Sequence, residues 1–278
     1  MYDAASPASQ GIDPPGTVAA FFDVDNTVIR GASAYQLARA LYFRKFFGVR
    51  DLLRFGSIHV RYLIFGETKD QANEVRDRAM TIIAGRSVAE ITAVGEEVYD
   101  TVLSLRIFPG TKTLLDEHLA AGHQVWLVTA TPIEIGRLIA RRLGVTGCLG
   151  TVAEHRNGLY TGRILGDMMH GVAKSAAVVD LAEERGIDLA ASYAYSDSLN
   201  DLPMMNLVGH PCAINPDMRL RRHASDVGWP IREFRGKRRR ITGRSMRSAS
   251  LAGGAWVAGL ILRSLRKRLG TRFTHPLR

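Results

Sequence analysis

The stretch that decides the fold reads VAAFFDVDNTV and runs from Val18 to Val28. Its first part, Val18 to Val24, is almost entirely apolar and predicts a buried strand. Asp23 and Asp25 stand where this strand ends. Because open α/β sheets bind ligands at the carboxyl ends of their strands, we expect both carboxylates to face a substrate. One carboxylate could attack the substrate while the other transfers protons.

Outward from this strand, apolar runs alternate with helical patterns, which is typical of a parallel sheet covered by helices. Thr131, Pro132 and Glu134 have the spacing of a helix start capped by a threonine. In chain order, the predicted elements are a helix from near Pro109 to Gly122, a strand His123 to Thr129, the capped helix ending at Gly144, a hairpin turn at Asn157 and Gly158, a helix Val172 to Arg185, and strands Tyr193 to Ser196 and Cys212 to Ile214. The predicted fold class is therefore α/β, with a Rossmann-like parallel sheet.

The pattern changes between Arg30 and Arg106, where no strand is predicted and apolar residues recur at helical spacing. We interpret this stretch as an inserted helical cap. Its many aromatic side chains favour the core of a small helical bundle, and a lipid-binding face is the alternative. The predicted organisation is a flexible leader over residues 1–17, an α/β core over 18–30 and 107–231, the cap over 31–106, and a basic tail over 232–278.

Composition describes a globular chain of 278 residues, of which 46% are hydrophobic and 23% charged. Cys148 and Cys212 are too few for a disulfide framework or a thiolate zinc site, which favours a reducing compartment. The leader lacks the cationic and apolar pattern of a secretion signal. These features predict a cytoplasmic protein.

The net charge of +10 comes entirely from the tail. From Arg232 to Arg278 there are 14 Lys or Arg against Glu233 alone, so the remaining chain has a net charge of −3. Nucleic-acid binding is therefore not expected for the core. Within the tail, Leu251 to Leu262 is apolar but too short to span a bilayer. It could form an amphipathic helix on an anionic membrane surface, or the tail could be solvated and flexible.

Further polar residues follow other predicted strands and helix starts. Thr129 ends the second strand, Lys174 opens a helix, and Asp197, Asn200 and Asp201 follow a later strand. Together with the first aspartates they supply a nucleophile, a hydroxyl, a cation and a metal-binding carboxylate. The histidines, in contrast, lack metal-ligand spacing, and we expect them at the surface or behind the site.

These segments resemble the motifs of the haloacid dehalogenase superfamily, in its subfamily of phosphoserine phosphatase-like hydrolases (subfamily IB). That subfamily carries a helical cap of the C1 type inserted after the first motif. The resemblance covers about Val18 to Pro230. Its four motifs are DVDNT at Asp23 to Thr27, VTATP with Thr129, HGVAKSAAVV with Lys174, and YSDSLNDLPMM with Asp197, Asn200 and Asp201.

The resemblance implies a role for each of these polar residues. Asp23 would be the nucleophile that forms an aspartyl-phosphate, and Asp25 the general acid and then the general base. Thr129, Lys174 and Asn200 would contact the phosphoryl group. Mg²⁺ would be held by the carboxylates of Asp23 and Asp197 and by the backbone carbonyl of Asp25. Asp201 would orient these neighbours. A cation suits this chemistry because an anionic carboxylate must approach an anionic phosphate.

Asp25 favours hydrolysis of a phosphate ester, because dehalogenases of the superfamily lack this second acid. Phosphoserine phosphatases usually carry a glutamate nine residues after the nucleophile, and here Ala32 stands at that position. We therefore predict a Mg²⁺-dependent phosphomonoester hydrolase acting on a small phosphorylated metabolite. One alternative is a dedicated phosphoserine phosphatase of serine biosynthesis. The other alternative is a binding protein with a vestigial active site, whose tail binds a membrane or nucleic acid. Binding of the tail to lipid would hold the protein peripherally at the inner face of the membrane.

Overall fold

The structure, a computed structural model, describes residues 16–44 and 83–235. The predicted leader, the middle of the predicted cap and all but the first residues of the basic tail lie outside these ranges. Inside them, no helix has both the length and the apolar character required to cross a bilayer.

A seven-stranded sheet forms the centre of the fold, in the order β4-β3-β2-β1-β5-β6-β7. Its strands are β1 (Ala19–Asp23), β2 (Gln124–Pro132), β3 (Gly147–Arg156), β4 (Leu159–Leu165), β5 (Tyr193–Ser196), β6 (His210–Ile214) and β7 (Ile231–Arg232). Strand β1 pairs in parallel with both β2 and β5, and the pairs β2–β3, β5–β6 and β6–β7 are also parallel. The parallel sheet confirms the predicted α/β class.

Helices connect the strands, as parallel crossovers require. They are α1 (Ser33–Phe43), α2 (Val88–Val98), α3 (Pro109–Ala120), α4 (Ile133–Leu143), α5 (Val172–Arg185), the single turn α6 (Leu202–Met205) and α7 (Met218–Asp226). A π-helical turn (Tyr99–Leu103) and a 3₁₀ turn (Ser104–Arg106) follow α2, and a 3₁₀ turn (Leu199–Asp201) precedes α6. Gly186 ends α5 with a left-handed φ of 66°, a conformation that glycine adopts without steric cost.

All five residues of β1 are buried, so the strand is covered on both faces, as central parallel strands are. On one side Phe21 packs in a cluster with Val128 of β2, Val178 of α5 and Leu220 of α7, each of which is fully buried. This core fixes the carboxyl end of β1 relative to the start of α5. Asp23 is the last residue of β1, and Lys174 lies in the first turn of α5.

The described residues divide into two compact units. One consists of 16–37, 92–152 and 165–235, and the other of 38–44, 83–91 and 153–164. Residues 31–37 and 92–106, predicted as cap, thus group with the sheet. Residues 153–164, the hairpin tip predicted as core, group with the second unit. The larger unit also continues to Arg235, four residues past the predicted end of the core at 231.

Several predicted elements are confirmed, while one helix start is wrong. Helix α5 has the predicted bounds, and the turn at Asn157 and Gly158 joins β3 to β4 with positive φ at both residues. Thr131, predicted to cap a helix, instead lies inside β2, which continues to Pro132. Helix α4 begins only at Ile133, without a side-chain cap. The Thr131 hydroxyl lies 2.9 Å from that of Ser33 instead.

Candidate active site

A cleft of about 270 Å³ opens at the carboxyl ends of β1, β2 and β5, the edge where the sequence predicts a site. The structure brings together every predicted site residue in this cleft. Its lining comprises the predicted Asp23, Asp25, Thr129, Lys174, Asp197, Asn200 and Asp201, together with Asn26, Ala130, His170, Ser198 and Asp217.

Lys174 ties two of the motifs together. Its ammonium donates to Oδ1 of Asp23 at 2.6 Å and to Oδ2 of Asp201 at 3.0 Å. All three side chains are almost completely buried. A buried charge is tolerated only when it is paired and hydrogen-bonded, and this geometry meets both conditions for Lys174.

Asp201 is held from a second direction. The Ser196 hydroxyl at the end of β5 donates to the same Asp201 Oδ2 at 2.6 Å. Ser196 in turn accepts the backbone N–H of Ser198 at 3.2 Å. Asp201 therefore connects the end of β5 to Lys174 and orients the lysine toward Asp23.

Burial sets the protonation behaviour of this group. It raises the pKa of Asp23 to about 7, an effect that the positive charge of Lys174 opposes and the nearby Asp201 reinforces. Burial alone would lower the pKa of Lys174, but the charges of Asp23 and Asp201 outweigh it and raise that pKa above its usual value. The pairing with Asp23 and Asp201 therefore favours the protonated form of Lys174.

Asp25 is oriented by the start of α1. Its Oδ1 accepts the backbone N–H of Ser33 at 2.8 Å. Burial raises the pKa of Asp25, while the hydrogen bonds from Ser33 oppose that rise. A raised carboxyl pKa is what a general acid needs near neutral pH.

Thr129 has a defined hydroxyl orientation. Its Oγ1 accepts the backbone N–H of Thr131 at 3.2 Å, and the side chain is buried. Because one lone pair is occupied by this bond, the hydroxyl hydrogen is available to donate into the cleft.

Asn26 shapes the loop between the two motif aspartates and α1. It adopts a left-handed backbone with φ of 63°, and its Oδ1 accepts the N–H of Gly31 at 3.0 Å. The fully buried Asn215, which follows β6, donates from Nδ2 to the Asn26 carbonyl at 3.2 Å. This loop geometry is therefore fixed by a residue almost the whole length of the core away in sequence.

Asp197 directly follows β5, and its side chain is 14% exposed. Burial raises its pKa to about 8, the charge of Asp23 adds to that rise, and Arg235 opposes it. The Arg235 guanidinium approaches Asp197 Oδ2 at 3.6 Å. The backbone carbonyl of Asp197 also accepts the N–H of Asp217 at 2.8 Å.

The donors around the cleft fit a divalent cation that prefers oxygen ligands. Asp23 and Asp197 supply carboxylate oxygens, and burial raises the pKa of both groups, a rise that a bound cation would oppose. Among the described residues no three His, Cys, Asp or Glu side chains cluster as metal ligands. The predicted set needs only two side chains, because its third ligand is a backbone carbonyl, and Mg²⁺ commonly retains water molecules.

Sequence reasoning missed several residues of this site. Asp217 and Asn215 follow β6 and carry no motif. His170 is exposed, as expected of a surface histidine, and it also lines the cleft. Asn26 could have been found, because it stands inside the DVDNT motif and asparagine tolerates a left-handed backbone. Arg235 lies beyond the predicted end of the core.

The chain is similar to several known proteins. The family described as haloacid dehalogenase-like hydrolase matches residues 20–206. Phosphoserine phosphatase SerB1 of Mycobacterium tuberculosis is 49% identical over 247 residues, which are 87% of this chain and 80% of that protein. A probable phosphatase of the same organism is 33% identical over 224 residues, covering 81% of this chain and 78% of that protein.

A solved structure also resembles this one. It is that of a protein of unknown function from Bordetella pertussis, with 32% identity and a TM-score of 0.71. The match covers 78% of this chain and 99% of the other.

Proposed function

Because the chain belongs to the haloacid dehalogenase-like hydrolase family, we propose that it cleaves phosphomonoesters with Asp23 as the nucleophile. It is a phosphatase of a small phosphorylated metabolite, as its relatives are phosphatases. The observation that carries the proposed mechanism is the contact of Lys174 with Asp23 and Asp201 inside one cleft.

The first step forms a phosphoenzyme. The Lys174 ammonium contacts Oδ1 of Asp23, so Oδ2 is the oxygen we assign to the attack. As Oδ2 bonds to phosphorus, the ester P–O bond breaks, and the leaving oxygen takes a proton from the Asp25 carboxyl. The raised pKa of Asp25 supports its role as this acid.

The second step releases inorganic phosphate. Asp25, now deprotonated, takes a proton from a water molecule, and the resulting hydroxide oxygen attacks phosphorus. The bond between phosphorus and Asp23 breaks, which restores the carboxylate. Thr129, Lys174 and Asn200 are the groups we assign to the phosphoryl oxygens, where positioned donors stabilise the charge spread over the transition state.

Phosphatases of this family are generally Mg²⁺-dependent, and we assign the metal ligands to Asp23, Asp197 and the backbone carbonyl of Asp25. When bound, Mg²⁺ supplies the positive charge that lets a carboxylate approach an anionic phosphate. Asp201 does not ligate the metal in this proposal. It keeps the Lys174 ammonium on Asp23, with support from Ser196.

A dedicated phosphoserine phosphatase is the second candidate, and the relative of that name favours it. Ala32 weakens it, since this exposed residue directly before α1 offers no charge to a substrate ammonium. Restoring the acid in Ala32→Glu should raise kcat/KM for phosphoserine relative to an aryl phosphate. An unchanged ratio would show that position 32 does not read the substrate ammonium.

A binding protein with a vestigial site is disfavoured by the complete set of site residues. Of the basic tail predicted over 232–278, residues 236–278 lie outside the described residues, so membrane attachment stays a prediction. The cytoplasmic location and the expectation that the core binds no nucleic acid also stay predictions. Deleting residues 236–278 should abolish sedimentation with anionic vesicles if the tail is a tether.

The proposed function is tested with an aryl phosphate, a substrate without further recognition elements. We expect Mg²⁺-dependent hydrolysis that chelation abolishes and that falls by at least about 10³-fold in Asp23→Asn. The matched control is Asp116→Asn, which removes an exposed aspartate paired with Lys112 on α3. Equal activity of the wild-type protein and Asp23→Asn would overturn the proposal.

A further inference from the structure

The end of β7 and the three residues after it lie beside the catalytic cleft, where Arg235 contacts Asp197. We call residues Arg232–Arg235 the C-terminal strap. Asn215 holds it through Oδ1, which accepts the backbone N–H groups of Phe234 at 2.7 Å and Arg235 at 3.0 Å. Asn215 also donates its own backbone N–H to the Arg232 carbonyl at 2.8 Å. The strap is therefore fixed by three hydrogen bonds to one buried residue.

Two side-chain contacts add to this anchorage. The ring of Phe234 packs so closely on Gly110, at the start of α3, that any side chain at position 110 would clash with it. Glu233 forms an ion pair with Arg221 of α7. The same Asn215 that holds the strap also holds the Asn26 carbonyl of the first motif loop. The backbone of Arg235 is thus positioned relative to the catalytic aspartates.

The side chain of Arg235 is held less tightly than its backbone. Its guanidinium approaches Asp197 at 3.6 Å, and the side chain is 48% exposed whereas that of Asp197 is 14% exposed. A guanidinium has five N–H donors, so a single long contact leaves most of its donor capacity for other groups. The arrangement combines a fixed backbone with a cation that can reach toward the cleft.

Acidic side chains are the most numerous charged groups in the lining of the cleft beside Arg235. Five aspartates and Lys174 line the cleft, and Lys174 is already shared between Asp23 and Asp201. Among the ion pairs of the described residues, Arg235 is the other cation that reaches a carboxylate of the cleft. Because Lys174 and the bound Mg²⁺ are both assigned to the phosphoryl group, Arg235 is the cation of the described residues that is left for a second negative group of the substrate.

We propose that Arg235 is a specificity residue that binds a second anionic group of the substrate, which makes the preferred substrates phosphomonoesters that also carry a carboxylate. This inference rests on the proposed phosphatase function and names its substrate class. The guanidinium matches a carboxylate in a two-pronged hydrogen-bonded geometry, which a lysine cannot reproduce. Ala32 agrees with this class, since no acidic side chain stands at that position to select an ammonium.

Two substrates that differ in one group test the proposal. Phosphoglycolate carries a carboxylate where ethyl phosphate carries a methyl group. We expect Arg235→Gln to lower kcat/KM for phosphoglycolate by about tenfold, mainly through KM, the loss of one charge-assisted contact. Saturating Mg²⁺ in both assays offsets the lost contact of Arg235 with Asp197, so the value for ethyl phosphate should be unchanged. Arg235→Lys should recover only part of the loss.

A matched control is Arg222→Gln on α7, whose side chain is 87% exposed and pairs only loosely with Asp226 at 4.0 Å. It removes the same charge without touching the cleft, and we expect no change for either ester. Equal losses for both esters in Arg235→Gln, or no loss for either, would overturn the specificity role while leaving the phosphatase intact. If the wild-type protein with Mg²⁺ hydrolyses neither ester nor an aryl phosphate, the proposed function itself fails.

Discussion

The two ends of the central strands bury polar side chains by opposite means. At the carboxyl ends, Lys174 stays charged because two carboxylates surround it. Near the amino ends of β2, β5 and β6 lies a histidine–tyrosine cluster, whose members are His118, His123, Tyr193, Tyr195 and His210. Burial there, with the neighbouring His123, lowers the pKa of His118 to about 4. One end thus keeps its charges by pairing them, and the other loses its charge.

The difference follows from the partners that each end offers. His118 contacts the His123 ring at 2.8 Å through Nδ1 and the Tyr195 hydroxyl at 2.8 Å through Nε2, so neither ring nitrogen has a carboxylate partner in these bonds. A proton on His118 would gain no opposite charge in this contact set and would lose solvation. Burial of an ionisable side chain therefore indicates a reactive site only where neighbouring side chains of opposite charge keep it ionised.

The variant with the largest expected effect removes the cation at the carboxyl ends of the strands. Lys174→Met removes the shared cation and leaves Asp23 and Asp201 buried without it. We expect kcat/KM for an aryl phosphate to fall by at least about 10²- to 10³-fold, and the free energy of unfolding to fall by about 3 kcal/mol. Steady-state kinetics and urea unfolding measure the two effects.

Lys112→Met is the control for this variant, because Lys112 is an exposed lysine that pairs with Asp116 on α3. We expect it to retain full activity and stability. If Lys174→Met behaved like this control, the buried ion pair would have no role in the site.

The next effect separates chemistry from stability at the same end. In Asp25→Asn the amide oxygen can still accept the Ser33 N–H, so we expect an unchanged thermal midpoint. The amide cannot transfer a proton, and kcat should fall by about 10²- to 10⁴-fold. Kinetics with a calorimetric scan test this, and a loss of kcat that tracks a loss of folding would contradict the proton-transfer role.

The neutral end should contribute a loss of stability in acid. Because the pKa of His118 is about 4 in the folded protein and 6.5 when unperturbed, the unfolded chain takes up this proton first. The stabilising contribution of neutral His118 is therefore present above about pH 6.5 and is lost as the pH falls toward about 4. His118→Gln should flatten this pH dependence by up to about 1 kcal/mol per pH unit.

Urea unfolding at a series of pH values between neutral and acid measures the flattening. His155→Gln, which replaces an exposed histidine, serves as its control and should keep the wild-type slope. A variant at position 118 with the wild-type slope would mean that other groups govern acid unfolding.

The smallest effect concerns a single hydroxyl in the histidine–tyrosine cluster. Tyr195→Phe removes the partner of His118 Nε2 but keeps the ring stacked on Phe22. We expect a loss of about 1 kcal/mol in unfolding free energy at neutral pH, with unchanged kcat/KM. A loss of activity as large as that in Lys174→Met would remove the distinction between the two ends.

The charged end was largely predictable from the sequence, and the neutral end was not. Parallel strands place their carboxyl ends at one edge, so Asp23 and Thr129 were expected to converge there, with Lys174 at the start of a helix and Asp197 after a later strand. His118 looks like any residue of a helix, because nothing in its neighbourhood of the sequence indicates Tyr195 as a partner. Such contacts depend on how α3 packs against the sheet.

Two further residues show why local patterns fail. Thr131 has the spacing of a helix cap, but β2 extends through it and its hydroxyl meets Ser33, 98 positions away. Arg235 stands in a run of basic residues that predicts a solvated tail, yet a buried asparagine after β6 ties its backbone to the core. In both cases a tertiary hydrogen bond overrides the local preference.

The central claim is that Asp23 accepts the phosphoryl group. Its most direct test is rapid acid quenching of Asp25→Asn during turnover of an aryl phosphate with Mg²⁺, followed by intact-mass measurement and peptide mapping. With the second proton transfer impaired, we expect the mass of one phosphoryl group on the peptide that contains Asp23, and none in the Asp23→Asn, Asp25→Asn double variant. Turnover with no covalent phosphate, or with phosphate on another residue, would contradict the mechanism.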